Sequence, residues 1–260
     1  MILRRVIQHV RKQEWTAIWI DLVIVVVGVF IGIQVSNWNG DRATARRGEV
    51  FAERLRSDLR VEAWGYELLV GYYGDVAAHC RRTLDALAGH APMSDEALLI
   101  AAYRATQYNA TIRRRATFDE LVSRGELSLI TDPALRDLAQ TVYTTPFIGY
   151  IFEEGRASAY RHWFRLNMPH NVQQALAKAC GDRLIDLFNY AGIDGVIDYP
   201  CTTGLRDHTI AAAVALLRDD PEAIRLLRLR VADIDTSVND LAFNFADMRD
   251  SLRALAGRTP

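Results

Sequence analysis

Residues 18–42 read IWIDLVIVVVGVFIGIQVSNWNGDR, an apolar run with an acid, Asp21, near its front edge and two glycines, Gly28 and Gly32, four apart in its middle. Three readings compete: a cleaved export signal, the buried helix of a soluble core, and a permanent membrane anchor. The 24 residues from Trp15 to Trp38 would reach roughly 36 Å at about 1.5 Å per residue, which matches a bilayer with its interfaces. Trp15, Trp19 and Trp38 stand where aromatic side chains settle at headgroup level. The exit, QVSNWNG, lacks the small-residue site that signal cleavage needs. No turn or capping residue interrupts the run, which argues against a soluble core. The sequence therefore predicts a transmembrane helix over 15–38.

The segment before it carries its own pattern. Ile2, Leu3, Val6, Ile7 and Val10 recur at helical spacing, with Arg4, Arg5, Arg11 and Lys12 on the other face. Such a basic amphipathic helix, over 1–14, would lie along anionic headgroups of the cytoplasmic leaflet. Basic residues also follow the span, at Arg42, Arg46, Arg47, Arg54 and Arg56, so a raw count does not orient it. The short basic tail is the part that charge governs best, because long domains translocate largely regardless of charge. The N-terminus is expected inside and residues 39–260 outside.

At about 100° per residue, Asp21, Val25, Gly28, Gly32, Val35 and Asn39 share one face of the span. Small residues on one stripe let two helix backbones approach closely in lipid. A lone G-x-x-x-G is a weak signal, but its alignment with Asp21 and Asn39 points to self-association or to a partner span. Asp21 has two readings: an acid within the bilayer that serves function, or one hydrated at the cytoplasmic edge and favoured by the helix N-terminus.

The rest of the chain bounds the answer further. With 260 residues, 50% hydrophobic and 24% charged, it has room for one span and one sizeable domain. A net charge of −1 gives no electrostatic case for a nucleic-acid partner. Lysine occurs only at Lys12 and Lys178, a bias that reads as coding preference. Cys80, Cys180 and Cys201 show no C-x-x-C spacing. In an oxidising compartment Cys180 and Cys201 are candidates to pair; buried reduced thiols are the competing reading.

Beyond the span the pattern is helical almost throughout. Val50, Phe51, Leu55, Leu59, Leu68 and Leu69 predict one or two long helices over 41–88, with Gly71 and Gly74 as candidate bends. A break follows at Gly89–Pro92, and Ser94 is the expected cap of a helix over 95–108. Thr117 to Glu120, TFDE, reads as a capping box, and Gly125 as the stop after it. GELSLI is then expected as a short strand-like piece, before a helix opened by Asp132 and Pro133. Asp220 and Pro221 open a final helix reaching about Ala256, with Gly257 as its stop.

Two of these stretches together resemble a large family of bacterial single-pass membrane proteins. The first is DLVIVVVGVFIGIQVSNWNGDR, matching at Asp21, Gly28, Gln34, Asn37, Trp38 and Asn39. The second is TFDELVSRGELSLITDPALRDLAQTVY, matching at Leu121, Gly125, Leu127, Leu129 and Ile130. The resemblance covers roughly residues 15–145 and implies an inner-membrane protein with a helical extracytoplasmic, periplasmic domain. It implies no activity. The fold expected is all-α: one transmembrane helix, then an antiparallel bundle of about five to seven helices.

Function classes follow from what is present. Nucleophile elbow, zinc-protease, P-loop and dinucleotide signatures are all missing, and the histidines share no metal spacing. No metal, cofactor or catalytic residue is expected; an enzyme is the least favoured class. Asp194 and Asp198 lack the calcium-loop spacing. Arg113–Arg115 has an anion-binding reading and a solvated-face reading. The aromatic stretch 143–164 supplies a candidate ligand pocket at Tyr150, Tyr160, His162 and Trp163, against the plainer reading of a helix–helix core. The leading class is a membrane-tethered interaction protein, a homo-oligomer or the partner of another membrane protein. The alternative is a sensor-like domain that binds a small molecule and signals through a partner.

Overall fold

The computed structural model describes residues 15–109, 111 and 113–257. The amphipathic segment with Arg4, Arg5, Arg11 and Lys12 lies outside them. Every regular element among the described residues is helical.

One helix dominates. α1 runs from Trp15 to Leu87, 73 residues, or about 110 Å at about 1.5 Å per residue. It is long and apolar enough to cross a membrane, and none of its apolar window is buried. The boundary drawn at 38/39 falls inside it, with no loop between span and domain. Neither Gly71 nor Gly74 interrupts it. Instead Gly71 provides close approach: a Cβ there would stand 2.5 Å from the Ile193 Cγ2.

Residues 19–47 of α1 are exposed. From Phe51 onward its apolar residues turn inward at three- and four-residue spacing. Phe51, Leu55, Leu59, Ala63, Tyr66, Leu69, Tyr73, Val76 and Cys80 are all buried, the stripe of a core-facing helix.

Around this half pack the remaining elements. α2 spans Asp95–Arg104, α3 Ala116–Ser123, α4 Pro133–Thr144, α5 Phe147–Ala157, α6 Ala159–Asn167 and α7 His170–Cys180. α8 spans Asp207–Asp219, α9 Pro221–Asn239 and α10 Ala246–Leu255. α9, α2 and α10 make the most extensive contacts with α1. Leu227, Ile234, Leu241, Met248 and Leu252 bring the C-terminal elements into its core.

Local signals explain most ends. The Ser94 Oγ accepts the Ala97 N–H at 3.3 Å and opens α2, which stops at Arg104 rather than reaching 108. Asp132 caps α4 through the N–H groups of Ala134 and Leu135, and Asp220 caps α9 through Glu222. Gly125, at φ +66, ends α3 while Glu126 N–H donates to Leu121 C=O and Gly125 N–H to Val122 C=O, the paired closure that a left-handed glycine permits.

Three expectations are corrected. Thr117 is not a cap: α3 opens at Ala116 after Arg115, and Thr117 is buried within it. Glu120 turns to Arg54, at 3.2 Å, and Arg124, at 3.1 Å. GELSLI is no strand. With no neighbouring strand to pair with, Leu127–Leu129 closes as a 3₁₀ turn, through Leu129 N–H to Glu126 C=O and Ile130 N–H to Leu127 C=O. The final helix is divided: Asp240–Asn244 is a π-helical turn and α10 begins afresh at Ala246.

Candidate functional site

The predicted association face lies open. Asp21, Val25, Gly28, Gly32, Val35 and Asn39 are exposed, and a Cβ added at Gly28 or Gly32 would meet nothing within 4 Å. Trp15, Trp19 and Trp38 are exposed as well, with the Arg42 guanidinium 3.8 Å above the Trp38 ring. A continuous apolar surface of this kind marks a contact with lipid or protein.

Just past the exposed run of α1, the helix meets the Leu127–Leu129 turn. A Cβ on Gly48 would stand 2.6 Å from the Leu129 carbonyl oxygen, so α1 and the Leu127–Leu129 turn touch backbone to side-chainless backbone. Arg47 reaches Glu126 at 3.4 Å beside this contact. Ile130 is fully buried, while Leu127 and Leu129 pack against the core from partly buried positions.

The four aromatic-stretch residues do not form one pocket. Tyr150, 73% exposed, and His162 face outward. Tyr160 and Trp163 are core residues. The Tyr160 hydroxyl donates to Ala102 C=O at 3.3 Å, and the Trp163 indole N–H donates to Asp220, the cap of α9, at 2.8 Å. The stretch serves as packing between α6, α2 and α9, because i and i+3 share a helix face whereas residues 150 and 162 fall on others.

Cys180 and Cys201 form a disulfide with Cα atoms 5.6 Å apart, closing the loop that follows α7. Cys80 is free and buried, its thiol pushed up to about 12 by burial.

Under that loop sits a polar cluster that sequence reading missed. The Arg104 guanidinium, buried, donates to Tyr199 C=O at 2.8 Å and to Cys180 C=O at 3.4 Å, and lies over the Tyr199 ring. Asp198 is reached by Arg82 at 3.1 Å and by Arg104 at 3.6 Å. His79 Nε2 lies 3.4 Å from Asp198, yet burial, helped by Arg82, lowers its pKa to about 4. Two guanidiniums outweigh one carboxylate, so this histidine is neutral near pH 7. Asp75 is raised to about 6 by burial and by Asp198 and Asp194. These residues come from three distant segments, and no spacing rule joins them. Their chemistry is cohesion: charged side chains satisfy the irregular 182–203 loop where helices cannot.

A second cluster anchors the 113–115 arginines. Buried Glu62 pairs with Arg113 at 2.6 Å and accepts the Arg114 backbone N–H at 2.6 Å. Burial raises the Glu62 pKa, opposed by Arg113. Arg115 is held by Asp119 at 2.8 Å.

Among the described residues, no group of three His, Cys, Asp or Glu is placed to hold a metal ion. Protein-family models, curated proteins and solved structures show no match to this chain.

Proposed function

We propose that this chain is a membrane-tethered, non-enzymatic interaction protein that self-associates through its transmembrane face. Its helical domain, arranged as an antiparallel bundle, stands in the periplasm of a bacterial inner membrane, with the N-terminus in the cytoplasm. The resemblance to single-pass membrane proteins agrees with this placement. The observation that carries the reading is the open stripe of Asp21, Gly28, Gly32 and Asn39 on a helix that continues unbroken into the domain. In lipid, such a stripe is satisfied by a second helix at close range.

Native mass spectrometry of the full chain in mild detergent tests it. The expected spectrum is one defined oligomer, converted to monomer by Gly28→Leu together with Gly32→Leu. A monomeric parent protein, or a variant with unchanged subunit number, would overturn the reading.

A further inference from the structure

Three of the cavities on the described surface measure about 540, 560 and 450 Å³, each large enough for a small molecule. They differ in what charge they leave uncommitted. In the first, between α4 and α10, Arg56 already stands 3.7 Å from Asp132. In the second, Arg113 and Arg115 are taken by Glu62 and Asp119. The third lies between α1, the residues Asn109, Thr111 and Arg114, and the loop closed by the disulfide. Arg114 and Arg183 both line it; among the described residues neither has a carboxylate within 4 Å, and the Arg183 guanidinium lies 3.5 Å above the Tyr199 ring with its N–H edge free to donate. Glu62 explains the first of these: it takes the Arg114 backbone N–H and the neighbouring Arg113 charge, which leaves the Arg114 guanidinium for the cavity.

The walls are apolar, from Val61 and Leu68 on α1 and from Leu184 and Leu187 on the loop. That loop holds its apolar side chains out at a cost. Leu184 is 101% exposed, and Phe188 adopts φ +66, a left-handed conformation rare for a bulky residue. It is nevertheless held in place, by the disulfide at its root and by Arg183 N–H donating to Val196 C=O at 2.8 Å. Exposed leucines on a held loop, beside an apolar cavity with two cations that lack a carboxylate partner at its edge, match an anionic amphiphile.

We propose that this cavity binds an anionic amphiphile: a short apolar chain in contact with Val61, Leu68, Leu184 and Leu187, and a carboxylate between Arg114 and Arg183. A planar carboxylate accepts paired N–H donors from guanidinium groups, and such charge-assisted bonds are about twice as strong as neutral ones. The site is independent of how the span associates, and it is distinct from the aromatic stretch 143–164.

The test is calorimetric titration of sodium octanoate into the full chain in phosphatidylcholine nanodiscs, with empty nanodiscs subtracted. One saturable site per chain is expected. Arg114→Ala with Arg183→Ala, both exposed positions, should weaken it at least tenfold while Tm stays within about 2 °C. Val61→Trp should abolish it by filling the cavity. Absence of saturable binding, or equal affinity in the double arginine variant, would overturn the proposal. Equal affinity for 1-octanol would do the same, since a purely apolar site needs no anion.

Discussion

The two halves of α1 are one helix in two environments. Below residue 48, glycines have nothing beside them and the acid Asp21 is exposed. Above it, Gly48 and Gly71 are wedged against Leu129 and Ile193, and the acid Glu62 is buried with Arg113 at 2.6 Å. The residue types are shared; the neighbours are not. Gly48 and Gly71 in the upper half are demands of packing that already exists, whereas Gly28 and Gly32 in the lower half stand open. A residue's role along this helix follows from which half it occupies.

Four variants break or sharpen that contrast, each measured as thermal unfolding of the full chain in phosphatidylcholine nanodiscs. The largest effect belongs to Arg113→Ala, which leaves Glu62 buried without its partner and costs about 3 kcal/mol. Because burial raises the folded pKa of Glu62, protonation relieves the unpaired charge. The deficit should therefore be greatest at neutral pH and shrink as pH falls through that raised pKa. A deficit independent of pH would assign Arg113 a packing role only.

Gly48→Ala comes next, at about 2 kcal/mol, since its Cβ meets backbone rather than a movable side chain. An unchanged Tm would mean that α1 and the Leu127–Leu129 turn separate freely, and the contrast between the halves would fail at its border.

His79→Gln is smaller and depends on pH. The folded pKa of about 4 lies below the ordinary value near 6.5. Between the two, the unfolded chain binds a proton that the folded one does not, so stability from this residue rises with pH through that window. Relative to the variant, the parent protein should gain Tm steadily from about pH 4 to 6.5. A constant difference would show that the folded histidine carries a proton.

Gly28→Leu with Gly32→Leu should leave the domain's Tm unchanged while altering subunit number. A fall in Tm in step with dissociation would show that the two halves share stability across subunits.

What could be read in advance divides along physical lines. Ser94, Asp132, Asp220 and Gly125 act on backbone groups two to five residues away, so sequence alone places them. The long apolar helix was legible because length and hydropathy suffice to mark it. Thr117 misled because a helix start is decided by what surrounds it: burial of Thr117 and the Arg115–Asp119 pair move the first turn upstream of the expected box. GELSLI alternates like a strand, but a strand needs a partner, which the sequence of one segment does not reveal. Tyr150, Tyr160, His162 and Trp163 are near in sequence and apart in space. Asp75, His79, Arg104 and Asp198, like Arg114 and Arg183, are the reverse.

The unbroken course of α1 through residue 38 has a mechanical corollary. A flexible linker would let the domain swivel independently of its anchor; a hydrogen-bonded helix transmits torque. Whatever grips the apolar half of α1 therefore sets the compass bearing of the domain around the helix axis. Inserting a single residue near Asn39 would turn that bearing by about 100° while leaving the packing from Phe51 onward in place.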